Sequence, residues 1–143
     1  MPLQLDSFRN ALMALRAVQA KSEDAVFMAS LDAITREAIR SGVIQHFGVT
    51  FELACNFIRR RLEADIGRIG RIGVVGISRR DLFRIAAENG LIDNVEAWFQ
   101  YHLARNQTSH TYDPPIAASV YARSLAFTPD AGILLTRLEA RNA

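Results

Sequence analysis

The residues best equipped for chemistry stand in one polar run, Arg105-Asn106-Gln107-Thr108-Ser109-His110-Thr111-Tyr112. It joins a guanidinium that is always charged, an imidazole that exchanges protons near neutral pH, and a phenol. Such a set suits phosphate handling or acid/base work. Cleaving RNA without a metal takes a base for the 2′-OH proton, an acid for the leaving oxygen and a cation to hold charge at the phosphorus centre. His110 and Arg105 can fill these roles. Five positions at about 100° each set the two roughly 140° apart on a helix, so that they flank a groove. One histidine is thin for two proton transfers, and a twofold dimer would bring two copies of His110 and Arg105 to one cleft. Asn106 and Ser109 stand where they could orient the imidazole or bind a phosphate oxygen. Spacing equally allows Asn106 and His110 to be a hydrogen-bonded polar pair closing a helix. Tyr112 either caps a core or offers its hydroxyl to solvent.

Rival chemistries have less behind them. His46, His102 and His110, with Cys55 as the single cysteine, show no metal-ligand spacing such as His-Glu-x-x-His or paired Cys-x-x-Cys, so no metal and no cofactor is expected. Cys55 lies in an apolar stretch, where a thiol packs rather than attacks, and His102 reads as structural. Gly67, Gly70, Gly73 and Gly76 recur every third residue, but no strand precedes them and no Gly-Lys-Ser/Thr ending follows. An interhelical loop is expected there, with Arg68 and Arg71 as phosphate contacts. Ala86 and Gly90, four apart and close to Arg79, Arg80 and Arg84, hint at a helix-turn-helix reader of DNA. Glu96 and Trp98, however, fall where that motif wants an apolar packing residue and a base-reading polar face.

The elements that must position the run are helical throughout. Asp6 is the expected cap of a first helix carrying Phe8, Leu12, Leu15 and Val18 into the twenties, with a break or polar turn at Lys21-Ser22-Glu23-Asp24. From Ser30 to about Ala64 the apolar residues keep helical spacing through Ile34, Val43, Phe47, Phe51, Ile58 and Leu62. That predicts one long helix or two collinear ones, kinked or closely packed near Gly42 and Gly48. Ser78 with Asp81 reads as an N-terminal cap, and Gly90 as the stop of a short helix. Asp93 or Asn94 opens the next, which is expected to reach Tyr112 and end before Pro114-Pro115. Its stripe Val95, Phe99, Leu103, Asn106 and His110, at steps of four, four, three and four, predicts a core face that turns polar at the site. Trp98, Phe99 and Tyr101 point to different faces, at least one of them a helix or subunit contact. A short helix over Ile116 to Leu125 and a last one opened by Thr128-Pro129-Asp130 complete the chain. With no alternating strand pattern, the expected fold is all-α: an up-and-down bundle of four main helices with an extra short C-terminal helix, one domain over 1–143.

Half apolar at 143 residues, the chain has core enough to fold unaided. No apolar run nears the roughly 20 residues of a membrane span. The start, Met1-Pro2-Leu3-Gln4-Leu5-Asp6, is no basic-then-apolar leader, and one cysteine makes no intrachain disulfide, so a cytoplasmic protein is expected. The net charge of +2 is too small to argue for nucleic acid, but it is uneven. Between Arg59 and Arg84 the arginines, Arg79 and Arg80 among them, meet only Glu63, Asp65 and Asp81. Such a patch either draws phosphates or is a solvated basic face.

Four stretches carry a resemblance: Ile44-Gln45-His46-Phe47 with Thr50-Phe51-Glu52-Leu53-Ala54; Ser78-Arg79-Arg80-Asp81 through Gly90-Leu91-Ile92; Glu96-Ala97-Trp98; and the polar run, with its pattern of Arg, four residues, His, one residue, Tyr. Together they resemble the nucleotidyltransferase substrate-binding subunit family, which belongs with the HepT toxins in the HEPN superfamily. The resemblance implies a helical bundle, usually a homodimer, that complexes with a small cognate nucleotidyltransferase. In the toxin branch the Arg and His carry metal-independent endoribonuclease activity, implying catalytic roles for Arg105 and His110. The partner acts as antitoxin by adenylylating the motif's tyrosine, here Tyr112. The alternative within the family is a noncatalytic substrate-binding subunit. Gly48 and Cys55 stand where an acidic residue and a tryptophan are common in the family, and are expected to loosen the long helix.

Overall fold

The computed structural model describes residues 2–66 and 77–142; Arg68, Arg71 and the glycine run lie outside the described residues. Among the described residues there are six α-helices, one 3-10 helix and no strand, the all-α class that the periodicity predicts. Helix α1 spans Asp6–Glu23 and α2 spans Ala25–Ala29. The polar turn between them is a true break: the Asp24 carboxylate accepts the Phe27 N–H at 3.0 Å and opens α2. Asp6 is not the cap of α1. Leu5 holds that position without a side-chain bond, and Asp6 sits in the first turn, where a carboxylate suits the helix dipole and pairs with Arg9 at 2.6 Å.

Helix α3, Ala33–Ile66, is one uninterrupted 34-residue helix. Helix α4, Arg79–Glu88, begins as predicted, with Ser78 Oγ accepting the Asp81 N–H at 3.2 Å. It ends at Gly90, whose φ of 76° is the left-handed conformation that favours glycine. The N–H groups of Gly90 and Leu91 then close back on the carbonyls of Ala87 and Ala86 at 3.1 and 2.9 Å. Asn94 opens α5, Val95–Asn106, by accepting the Ala97 N–H at 3.0 Å.

The C-terminal elements differ from expectation. Ile116 to Leu125 and the Thr128-Pro129-Asp130 segment belong to a single helix, α6, Pro114–Asn142, with Pro129 inside it. A proline there removes one backbone bond and typically destabilises a helix by about 3 kcal/mol. Burial on both sides of it, at Val120, Phe127, Leu134 and Leu138, holds the helix together. Side chains of α1 and α5 also anchor this stretch: Ser124 O accepts Gln19 Nε2 at 2.9 Å and Ala126 O accepts the Tyr101 hydroxyl at 3.2 Å. Thr128 does not cap a new helix; its hydroxyl donates to the buried Gln19 Oε1 at 2.8 Å. The prolines that do start a helix are Pro114 and Pro115, in a first turn whose N–H groups need no partner.

Helix α1 packs along α3 and α6, while α5 lies on α3, α4 and α6. Their shared core is aromatic. Trp98 of α5 packs against Phe51, Phe83, Tyr101 and Phe127 with ring centroids 5.6 to 6.3 Å apart. The fully buried face of α5 is therefore Trp98, Tyr101 and Ala104; of the predicted stripe, Val95 and Phe99 pack at the border of the core and Leu103 is exposed. That stripe obeys helical spacing as well as the true one does; what separates them is that the aromatic rings of α3, α4 and α6 meet α5 at Trp98. Among the described residues no helix is long and apolar enough to cross a membrane.

Candidate functional site

The polar run does not continue α5 to Tyr112. The α-helix stops at Asn106, and Gln107–His110 tightens into a 3-10 turn. Thr108, Ser109 and Thr111 are poor helix formers whose hydroxyls compete for backbone groups. Thr108 Oγ1 donates to Arg105 O at 2.8 Å and Thr111 Oγ1 to Thr108 O at 3.2 Å, satisfying carbonyls that the ending helix leaves free. Arg105 stands in the last turn of α5, where its charge suits the dipole.

Arg105 and His110 consequently face different surroundings. Arg105 turns toward α3 and lines a groove of about 680 Å³ with Gln45, Gly48, Glu52, Asn56, Thr108 and Thr111 among its other walls. Its side chain is 37% exposed, and its Nε lies 3.8 Å from Glu52 Oε1. That is an ion-pair distance rather than a hydrogen bond, and Nε, though buried, has no hydrogen-bonding partner among the described residues. His110 is exposed and is not among the residues lining the groove. Its ring meets Tyr112 edge-on, with the Tyr112 hydroxyl 3.5 Å from Nδ1. Tyr112 is 83% exposed and so offers its hydroxyl to solvent rather than capping the core.

The supporting residues divide. Asn106 does not pair with His110: its amide lies 3.4 Å from His102 Nε2, one turn back on the same helix. Ser109 is exposed. Of the arginines expected on phosphate, Arg79 donates to Glu52 Oε2 at 2.9 Å and Arg80 to Glu96 Oε2 at 2.9 Å while stacking 3.9 Å above the Phe99 ring. The basic segment is thus met by acids from α3 and α5 that are distant in sequence. His102 sits between the Phe51 and Phe99 rings, and burial, aided by the nearby Arg79 cation, pushes its pKa down against the opposing pull of Glu52. A neutral, partly buried imidazole fits its structural assignment.

Cys55 is buried in the core, and burial pushes its thiol up to about 12 even though the Arg79 guanidinium pulls the other way. We expect iodoacetamide at mildly alkaline pH to leave the native protein unmodified and to alkylate Cys55 fully in denaturant. Because the folded chain holds this proton after the unfolded chain has lost it, stability should fall as the pH rises from the ordinary thiol range toward 12. Native-state labelling would refute the packing role. Among the described residues, no three His, Cys, Asp or Glu side chains gather as a metal site would need.

Comparison with known proteins gives this geometry a family. A model described as "Nucleotidyltransferase substrate binding protein like" matches residues 3–140. The chain belongs to that family. It is also 31% identical over 140 residues to a Haemophilus influenzae protein named "Probable ribonuclease HepT", a match covering 98% of this chain and 94% of the relative. A solved Haemophilus influenzae structure, described as having the fold of a substrate binding domain of a nucleotidyltransferase, superposes with a TM-score of 0.88 at 29% identity, covering 95% of this chain and 99% of that one. A Thermus thermophilus structure shares the fold at a TM-score of 0.65 and 24% identity, over 90% and 98% of the two chains.

For this member of the nucleotidyltransferase substrate-binding family, one groove residue had no role assigned from sequence, Glu52, which stands one turn from Gly48. The close packing expected near Gly48 is there: a Cβ at that position would lie 3.3 Å from Arg105 Cδ. Cys55 is fully buried in the core. The available signal is the spacing of four between Gly48 and Glu52 on α3, which sets the smallest side chain and a carboxylate on one face.

Proposed function

We propose that this chain is a HepT-like endoribonuclease toxin that cuts RNA without a metal ion and is restrained by a cognate nucleotidyltransferase that adenylylates Tyr112. One arrangement carries the reading: a half-exposed Arg105 in a groove, an exposed His110 one 3-10 turn further on, and the Tyr112 hydroxyl 3.5 Å from His110 Nδ1. In the reaction His110 accepts the 2′-OH proton, the 2′ oxygen bonds to phosphorus, and the bond to the 5′ oxygen breaks. His110 of a second copy, in a homodimer, returns a proton to the leaving oxygen. Arg105 holds the non-bridging oxygens as charge builds on them, leaving a 2′,3′-cyclic phosphate and a 5′-hydroxyl. Asn106 and Ser109 are polar supports for the strand. Arg80 joins by exchanging Glu96 for phosphate, with Arg68, Arg71 and Arg79 as further contacts.

In the restraining step Tyr112 Oη bonds to the α-phosphorus of ATP and pyrophosphate leaves, setting an anionic, bulky group beside His110. The exposure of Tyr112 supports access by a partner enzyme. The reading makes the chain a cytoplasmic protein. A second reading, a noncatalytic substrate-binding subunit, draws support from the description of the Haemophilus influenzae structure and from Arg105 lying beside Glu52.

Incubating the purified protein with RNA in EDTA separates the two. The proposal expects cleavage that EDTA does not slow and products ending in cyclic phosphate; intact RNA favours the noncatalytic subunit. Expression in cells should arrest growth, with relief by the partner nucleotidyltransferase and an adenylyl mass shift on the Tyr112 peptide.

A further inference from the structure

Glycine inside a helix is about 1 kcal/mol less favourable than alanine, and nothing in the backbone of α3 calls for one at position 48. Among the described residues only Gly90 has a positive φ. What Gly48 does have is a neighbour: a Cβ built there would lie 3.3 Å from Arg105 Cδ and 3.4 Å from Arg105 Nε. Such approaches are tighter than ordinary van der Waals contact, and they fall on the root of the guanidinium rather than its tip. Gly42, the other described glycine of α3, meets only an ordinary contact, Val18 Cγ2 at 3.6 Å.

One turn along α3, Glu52 completes the arrangement. Its Oε2 is fixed by Arg79 Nη2 at 2.9 Å, which leaves Oε1 facing Arg105 Nε at 3.8 Å. On the other side Thr108 Oγ1 lies 3.5 Å from Arg105 Nη1. The stem of Arg105 thus lies against α3 at Gly48, with a Glu52 oxygen near Nε and Thr108 Oγ1 near Nη1.

We propose that Gly48 and Glu52 form a seat for Arg105, and that Gly48 is a positioning residue whose missing side chain lets the guanidinium reach its working place. The inference rests on the reading that Arg105 stabilises charge on the phosphate. An added methyl would push the guanidinium outward by a few tenths of an ångström while improving the helix, so stability and activity should move in opposite directions.

The test compares Gly48→Ala, Glu52→Gln and Arg105→Ala in the full chain, with a 2′-deoxy oligonucleotide as a non-cleavable ligand. Gly48→Ala is expected to hold or raise the thermal midpoint while lowering kcat about tenfold, since small misplacements of a catalytic group are expensive. In an Arg105→Ala background it should have no further effect. Glu52→Gln, which keeps the shape and removes the charge, should weaken oligonucleotide binding and kcat in the same direction. If Arg105→Ala abolishes cleavage but Gly48→Ala leaves kcat at the wild-type value, the seat is overturned and the functional reading stands. If Arg105→Ala still cleaves, the functional reading fails. The seat is then judged by the Arg105 Nε–H resonance, which Gly48→Ala should shift or broaden; an unmoved signal overturns it.

Discussion

His110→Ala and Arg105→Ala are each expected to lower RNA cleavage by about 10²- to 10⁴-fold, the usual contribution of a positioned acid/base group or a charge-stabilising donor. Folding should survive both changes. His110 is exposed, Arg105 is 37% exposed, and substitutions at such positions typically change stability by no more than about 0.5 kcal/mol. The losses should not add in the double variant, because the two groups act on one transition state. Arg105→Lys keeps the charge but loses the fork that meets two phosphate oxygens, so it should restore only part of the rate. Initial rates on a short RNA, measured in EDTA beside thermal midpoints, check all four variants. Near-wild-type cleavage by His110→Ala in a folded protein would remove the imidazole from the mechanism.

Trp98→Ala should have the largest effect on stability, a loss of about 3 to 5 kcal/mol. At 2% exposure the indole joins rings from α3, α4, α5 and α6, so its removal empties the junction that fastens α5 to the bundle. Domains of this size are stable by only about 5 to 15 kcal/mol, so the variant loses a large fraction of its margin, and with it the alignment of the Arg105 turn. Leu103→Ala is the informative control. Leu103 is 41% exposed and belongs to the rival apolar stripe, and its loss should change stability by no more than about 0.5 kcal/mol. Urea midpoints for the two variants separate the faces; equal losses would mean that α5 packs on both.

Local chemistry is what the sequence reports well. Ser78, Gly90 and Asn94 act within a few residues of themselves, so their caps and stop are legible without the fold. The same locality misleads at Thr128-Pro129-Asp130, which carries a helix-start pattern yet lies inside α6, because buried residues on both sides of the proline hold one helix against the bundle. Pairing across helices is equally hidden. The arginines of the basic segment read as a phosphate field until Glu52 and Glu96 are brought to Arg79 and Arg80.

The sequence by itself determined an all-helical chain, most of its boundaries, and the Arg105 to Tyr112 run as the place to look for chemistry. Those follow from periodicity, backbone propensity and side-chain type, which belong to each segment alone. Only the tertiary structure decided which face of α5 is buried, that the run tightens after Asn106 and turns Arg105 and His110 to different surroundings, and that Gly48 and Glu52 receive the arginine. Two stripes on one helix can have the same spacing, and the choice between them is made by the surfaces that α3, α4 and α6 present. A groove wall likewise exists only once two helices lie side by side.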